Sequence, residues 1–110
     1  MHIEKKEKYT LISSDENSFS DFYTGFLNTL PQLEKEHIVI KISDKINVKK
    51  EEFFLFLTTA VNKKENDRSF VIINSMINAD DFPENLTIVP TLIEAEDILE
   101  MEAMERELGF

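Results

Sequence analysis

The four residues Phe70-Val71-Ile72-Ile73 are apolar at every position. A strand with one wet face alternates apolar and polar side chains, so an unbroken run reads as a central strand covered on both faces. Such a strand needs neighbours in a sheet and layers packed against it. The flanking sequence offers them. In His37 to Ser43, Ile38, Ile40 and Ile42 point one way and His37, Val39 and Lys41 the other. Residues 8–14 form another alternating segment, with Tyr9, Leu11 and Ser13 opposed to Thr10, Ile12 and Ser14. Leu86 to Val89 is a short strand whose pairing Pro90 ends.

Between these strands the apolar period changes. Phe19, Phe22, Phe26 and Leu30 recur at helical spacing, which predicts a helix over 18–30. Ser18 with Asp21 makes a variant capping box, and Pro31 ends or kinks the helix. A second helix is expected over 48–65, with Phe53, Phe54, Leu57, Ala60 and Val61 buried and Leu55 exposed. Lys63 and Lys64 sit near its C-terminus, where the macrodipole favours cations, and Asn66 can take the left-handed residue beyond it. Residues 78–85, with Asp80, Asp81 and Pro83, read as a loop or a single turn. The last helix is expected over 92–108, opened by a Thr91–Glu94 capping box. Its apolar positions are Leu92, Ala95, Leu99 and Ala103, with Ile98, Met101 and Met104 beside them. Gly109 can adopt the left-handed conformation after it, and Phe110 then packs back near Met104.

The order is strand, helix, strand, helix, strand, short connection, strand, helix. It predicts a single α/β domain over residues 1–110, with a mixed, mostly parallel sheet of about four strands and three main helices. If the helices lie mainly on one side, Val39 and alternate residues of 70–73 stay uncovered on the other. That face would then take a second copy of the chain, a partner or the N-terminal segment.

Composition narrows the chemistry. There is no cysteine, hence no disulfide, thiolate nucleophile or cysteine-ligated zinc, and two glycines cannot build a glycine-rich phosphate cradle. The net charge of −10 is uneven: residues 79–110 hold ten acids and one base, Arg106. An acidic surface repels phosphate backbones, so direct nucleic-acid binding is disfavoured. It suits a basic protein partner or simply keeps the domain dissolved. The charged start, Met1 to Lys8, is not followed by a secretory apolar region, and the longest apolar run, Phe53 to Leu57, is too short to cross a bilayer. A cytoplasmic protein without membrane contact is expected.

No catalytic constellation stands out. His37 beside Glu36 lacks further ligands at organised spacing, and His2 lies near the N-terminus. Asp80 and Asp81 are adjacent, so on an extended backbone they face apart instead of converging on one bond. Glu102 and Arg106, four residues apart, read as a surface pair. None of the seven serines lies in a G-x-S-x-G turn.

Two stretches carry a resemblance. Ile38-Val39-Ile40-Lys41-Ile42-Ser43, with the loop after it and the helix through Phe53 and Leu57, is similar to the strand, loop and helix start of the STAS domain. That domain occurs in anti-sigma-factor antagonists and in the tails of sulfate transporters. Val89-Pro90-Thr91-Leu92-Ile93-Glu94-Ala95-Glu96 resembles the family's entry into its last helix. The resemblance implies a STAS-like fold and a regulatory protein-binding role. It also marks departures. Lys49-Lys50-Glu51-Glu52 stands where the family has Asp-Ser-Ser-Gly, so the phosphorylatable serine is absent, and Lys41 replaces the strand acid. The stretch Val89 to Phe110 also resembles small Bacteroidota proteins often labelled "ribonuclease Z". With His2 and His37 alone the chain cannot supply that nuclease's metal motif.

The expectation is therefore a non-catalytic, cytoplasmic protein-interaction module with no cofactor, resembling anti-sigma-factor antagonists but not switched by phosphorylation. Its contact surface is placed at Asn47, Lys49, Lys50, Glu51 and Glu52. Its partner is a protein, with a homodimer through the uncovered sheet face as one form. The alternatives are an accessory subunit of an enzyme such as a tRNA-processing nuclease, or a domain that binds a small ligand such as a nucleotide.

Overall fold

A computed structural model describes residues 1–109. The elements are β1 (His2–Lys5), β2 (Thr10–Ser13), α1 (Phe19–Thr29), β3 (Ile38–Lys41), α2 (Lys50–Phe53), α3 (Leu57–Glu65), β4 (Phe70–Ile73), β5 (Thr87–Val89) and α4 (Leu92–Glu107). Short 3-10 turns follow α1, join α2 to α3 and precede β5. The sheet has five strands in the order β1-β2-β3-β4-β5. Strands β2 to β5 are parallel, and β1 pairs antiparallel with β2. The α/β class and the mostly parallel sheet are as expected. The count of four strands is corrected to five. His2-Ile3-Glu4-Lys5 lies at the sheet edge, where only one side of the backbone is paired and charged side chains are common, so its apolar content gives no signal.

One face of the sheet carries Ile12, Ile38, Ile40, Ile72 and Ile88 under α1 and the α2–α3 helix. The other carries Tyr9, Leu11, Val39, Val71 and Ile73, packed with Ala95 and Leu99 of α4. The uncovered face expected from the sequence is therefore covered. Val39 and Val71 are fully buried. The order of elements does not say on which side the last helix falls, and α4 takes the side opposite the others. The homodimer through that face loses its premise.

Phe56 is the hub of the first core. Its ring meets Phe19, Tyr23, Phe26 and Phe70 with centroids 5.3–6.1 Å apart. Each of the three contacts with α1 is edge-on, the arrangement that the ring quadrupoles favour. The helix expected over 48–65 is broken by the 3-10 turn Phe54–Phe56. Its buried residues are Phe53, Phe56, Thr59, Ala60 and Lys63, while Phe54 and Val61, expected inside, are exposed. Leu55 is exposed as expected.

The stripe turns because Lys63 is buried, at 3% exposure. Its ammonium donates to the backbone carbonyls of Leu33 (2.7 Å), Glu34 (3.2 Å) and Glu36 (2.7 Å). Three donors meet three acceptors, of which Leu33 also takes the Glu36 amide at 3.0 Å while Glu34 and Glu36 rely on the lysine. Burial, with Arg68 nearby, pulls the Lys63 pKa below the usual lysine value. Beyond α3, the Arg68 and Asp67 amides donate to the carbonyls of Lys63 and Lys64, a Schellman closure. The left-handed residue is Asp67 (φ 57°) and not Asn66. Gly109 has φ 81°, as expected for the residue after α4. The packing expected of Phe110 lies outside the described residues.

Phe54 and Phe56, at the two ends of the 3-10 turn, separate the two phases of this helix. Phe56→Ala should cost about 3–5 kcal/mol of stability. Phe54→Ala, which removes mainly a contact with Phe82 at 5.0 Å, should cost under about 1.5 kcal/mol. Urea unfolding of both variants measures the difference, and equal losses would contradict the observed phase.

Candidate functional site

The loop after β3 and the start of α2 stand at the carboxyl end of the parallel strands. Open α/β sheets bind ligands and partners most often at that end. The loop is pinned before it reaches α2. Ser14 Oγ accepts the Ser43 amide at 2.7 Å, Ser75 Oγ donates to Asp44 at 2.9 Å, and Ile46 is buried in the first core. The buried Asn74 amide donates to the Ile42 carbonyl, and its oxygen accepts the Met76 amide. Two adjoining hollows result. One, of about 460 Å³, is lined by Ser13, Ser14, Lys41, Ser43, Lys45 and Ser75, among others. The smaller, of about 190 Å³, lies between Asn47, Val48, Phe53 and Met76.

The five residues expected to form a contact surface are contiguous here but not equivalent. Asn47, Lys49, Lys50 and Glu51 are exposed. Lys50 reaches Asp81 across the surface at 3.8 Å, both side chains about half exposed, a pairing of small energetic weight. Glu52 faces inward along the helix start, where its carboxylate accepts the Lys49 amide at 2.9 Å. It does the work of a capping-box acid. The Ser and Lys side chains around the larger hollow went unmarked in the sequence. No local motif joins Ser13, Ser43 and Ser75; the parallel register brings them together.

A second polar cluster lies at the opposite end of the sheet. The Ser69 amide donates to His37 Nδ1 at 2.9 Å. Ser69 Oγ donates to Glu102 at 2.6 Å and accepts from Arg106 at 3.3 Å. Glu102 and Arg106, expected as a surface pair, instead dock the end of α4 on the start of β4. The hydroxyl of Ser69 points at a carboxylate and not at the imidazole, so the group lacks a nucleophile–base pair. Burial, then the charges of Arg106, Arg68 and Lys63, hold the His37 pKa below the ordinary histidine value. The neutral ring is the form that accepts the Ser69 amide. His2 lies at the other end of β1 from Lys5, the β1 residue that pairs towards the His37 end of the sheet. Among the described residues, no three His, Asp or Glu side chains gather as metal ligands. Among those residues too, no helix is long and apolar enough to cross a membrane.

No protein-family model and no curated protein matches this chain.

The division within the α2 start is measurable. Glu52→Ala should lower stability by about 0.5–2 kcal/mol through loss of the cap. Glu51→Ala should stay within about 0.5 kcal/mol, because its side chain is free in solvent. Chemical denaturation of the two variants checks this, and a larger loss for Glu51→Ala would contradict the assignment.

Proposed function

We propose that the chain is a non-catalytic, cytoplasmic regulatory module that binds a protein partner through the start of α2 and the loop before it. The carrying observation is the exposed set Asn47, Lys49, Lys50 and Glu51 on a loop held rigid by Ser14, Asp44, Ser75 and Asn74. A rigid backbone presenting free side chains binds without a large ordering cost. The resemblance to STAS domains supports this surface, since it places the family's helix start at Lys49–Glu52. The order of elements from β2 onward, as found, supports the same reading. Lys50 and Glu51 stand at the serine positions, so the module acts without a phosphorylation switch there. The function itself is carried by this surface and not by the fold.

One observation favours a second reading, a small-ligand site. The larger hollow at the carboxyl ends of β2 to β4 is rich in hydroxyls and holds Lys41 and Lys45, a lining suited to an anionic small molecule.

A tagged pull-down from native lysate tests the first reading. Wild type should enrich one protein, and Lys49→Ala/Lys50→Ala/Glu51→Ala should lose it. Glu52 is left intact so that the helix start stays capped. Retention of the partner by the variant would place the surface elsewhere. No enrichment over control, together with thermal stabilisation by an anionic ligand that Lys41→Ala abolishes, would move the ligand reading ahead.

A further inference from the structure

The outer side of α4 carries a row of large apolar side chains with nothing packed on them. Ile93 is 72% exposed, Met101 48%, Met104 56% and Leu108 69%. At about 100° per residue these four fall within one arc of roughly 80°, opposite Ala95 and Leu99, which face the sheet, and Asp97 in the middle of that arc separates Ile93 from the other three. Part of the row forms a shallow groove whose walls are Asp97, Glu100 and Glu105. Acids flank it on both sides along the whole helix, with Glu94 and Glu105 on one side and Glu96, Glu100 and Glu107 on the other. The helix's single base, Arg106, points the other way and is engaged with Ser69.

This pattern selects its occupant. An apolar patch at helical spacing, here Met101, Met104 and Leu108, is the shape that an amphipathic helix lays against. Methionine side chains adapt to an irregular apolar partner. The acidic margins require Lys or Arg beside the partner's apolar residues, and they repel phosphate backbones and anionic membranes. A second copy of α4 would set one acidic margin against another, which like-charge repulsion opposes.

We propose that the outer face of α4 binds a basic amphipathic helix of a partner protein, whose apolar residues sit on Met101, Met104 and Leu108 and whose bases meet Asp97, Glu100 and Glu105. The inference rests on the interaction-module reading but uses a surface separate from the α2 start, so the two stand or fall apart.

The probe is a labelled Leu/Lys amphipathic helical peptide of about 18 residues. A scrambled peptide of the same composition, with no apolar face, is the control. Binding is followed by fluorescence anisotropy, with chemical-shift mapping on the isotope-labelled protein. The wild type should bind the amphipathic peptide at least about tenfold more tightly than the scrambled one, with shifts along 93–108 and none at 47–52. Met101→Ser/Met104→Ser/Leu108→Ser, at exposed positions, should weaken binding by about tenfold or more while the charge is unchanged. Glu100→Gln/Glu105→Gln should weaken it too and flatten its salt dependence. Equal binding of the two peptides, or undiminished binding by the serine variant, would reduce the face to generic acidic attraction and overturn the proposal. A wild type that self-associates in sedimentation, and a serine variant that does not, would make a second copy the occupant and also overturn it. Shifts confined to 47–52 would overturn it while supporting the α2 surface.

Discussion

The burial of β3 and β4 on both faces organises this molecule. Each strand alternates between two separate cores. Ile38, Ile40 and Ile72 belong to the core under α1 and α3, and Val39, Val71 and Ile73 to the core under α4. A central strand covered on one face only would leave these β-branched side chains in water, and hydrophobic transfer opposes that at about 25 cal/mol per Å². The second core is small and depends on one helix. Polar ties hold that helix in place near both of its own ends. Tyr9 donates its hydroxyl to Glu96 at 2.7 Å near the α4 start, and Ser69 engages Glu102 and Arg106 near its end. Burial and the Glu96 carboxylate push the Tyr9 phenol up to about 12, so this donor keeps its proton across the physiological range.

The first core is larger, and its edge is closed electrostatically. Lys63 fills the space between α3 and the chain leaving α1, where an apolar side chain would leave the Glu34 and Glu36 carbonyls without this partner. Arg68 secures the next residue by donating from Nε to the Lys35 carbonyl at 2.7 Å. Among the described residues, every buried side-chain nitrogen and oxygen has a hydrogen-bond partner. A buried lysine is costly to desolvate, yet removing it would strand its acceptors, which makes the pairing a device for fixing one arrangement.

Much of the fold was legible because the strand and helix periods are clean. Phe70–Ile73 is the strand its pattern predicts, α1 and α4 begin on Ser18 and Thr91 as their caps predict, and Gly109 ends α4. The Thr91–Glu94 box forms in part: Thr91 Oγ accepts the Glu94 amide, while Glu94 accepts the Thr91 hydroxyl. What was hidden depends on distant partners. Lys63 looks like a solvated cation until the carbonyls of Leu33 to Glu36 are placed beside it. Apolar spacing alone puts Phe54 and Val61 inside, whereas the stripe that forms runs through Phe56, Thr59 and Lys63. Likewise Ala103, placed inside by spacing, is exposed, because at the end of α4 the sheet-facing positions are polar and meet Ser69. Of the residues proposed as a contact surface, the place in a loop and helix start was legible; the capping role of Glu52 came from the local geometry of α2 and the serine-lined hollow from the strand register.

The two surfaces differ in character, and the fold explains why both are available. The α2 start is polar and stands at the carboxyl end of the sheet. The outer side of α4 is apolar, rimmed by acids, and left free because only the inner stripe is needed to cover the sheet. Everything in this account depends on α4 being seated over β2 to β4 in that one rotation. Two alanines of the same helix test it most directly. Ala95 is fully buried against the sheet and Ala103 is exposed. In urea unfolding, Ala95→Glu should cost about 3–5 kcal/mol by burying an unpaired charge, and Ala103→Glu should stay within about 0.5 kcal/mol. Equal effects, or a larger loss at Ala103, would contradict the rotation of α4 and with it the covered second face of the sheet.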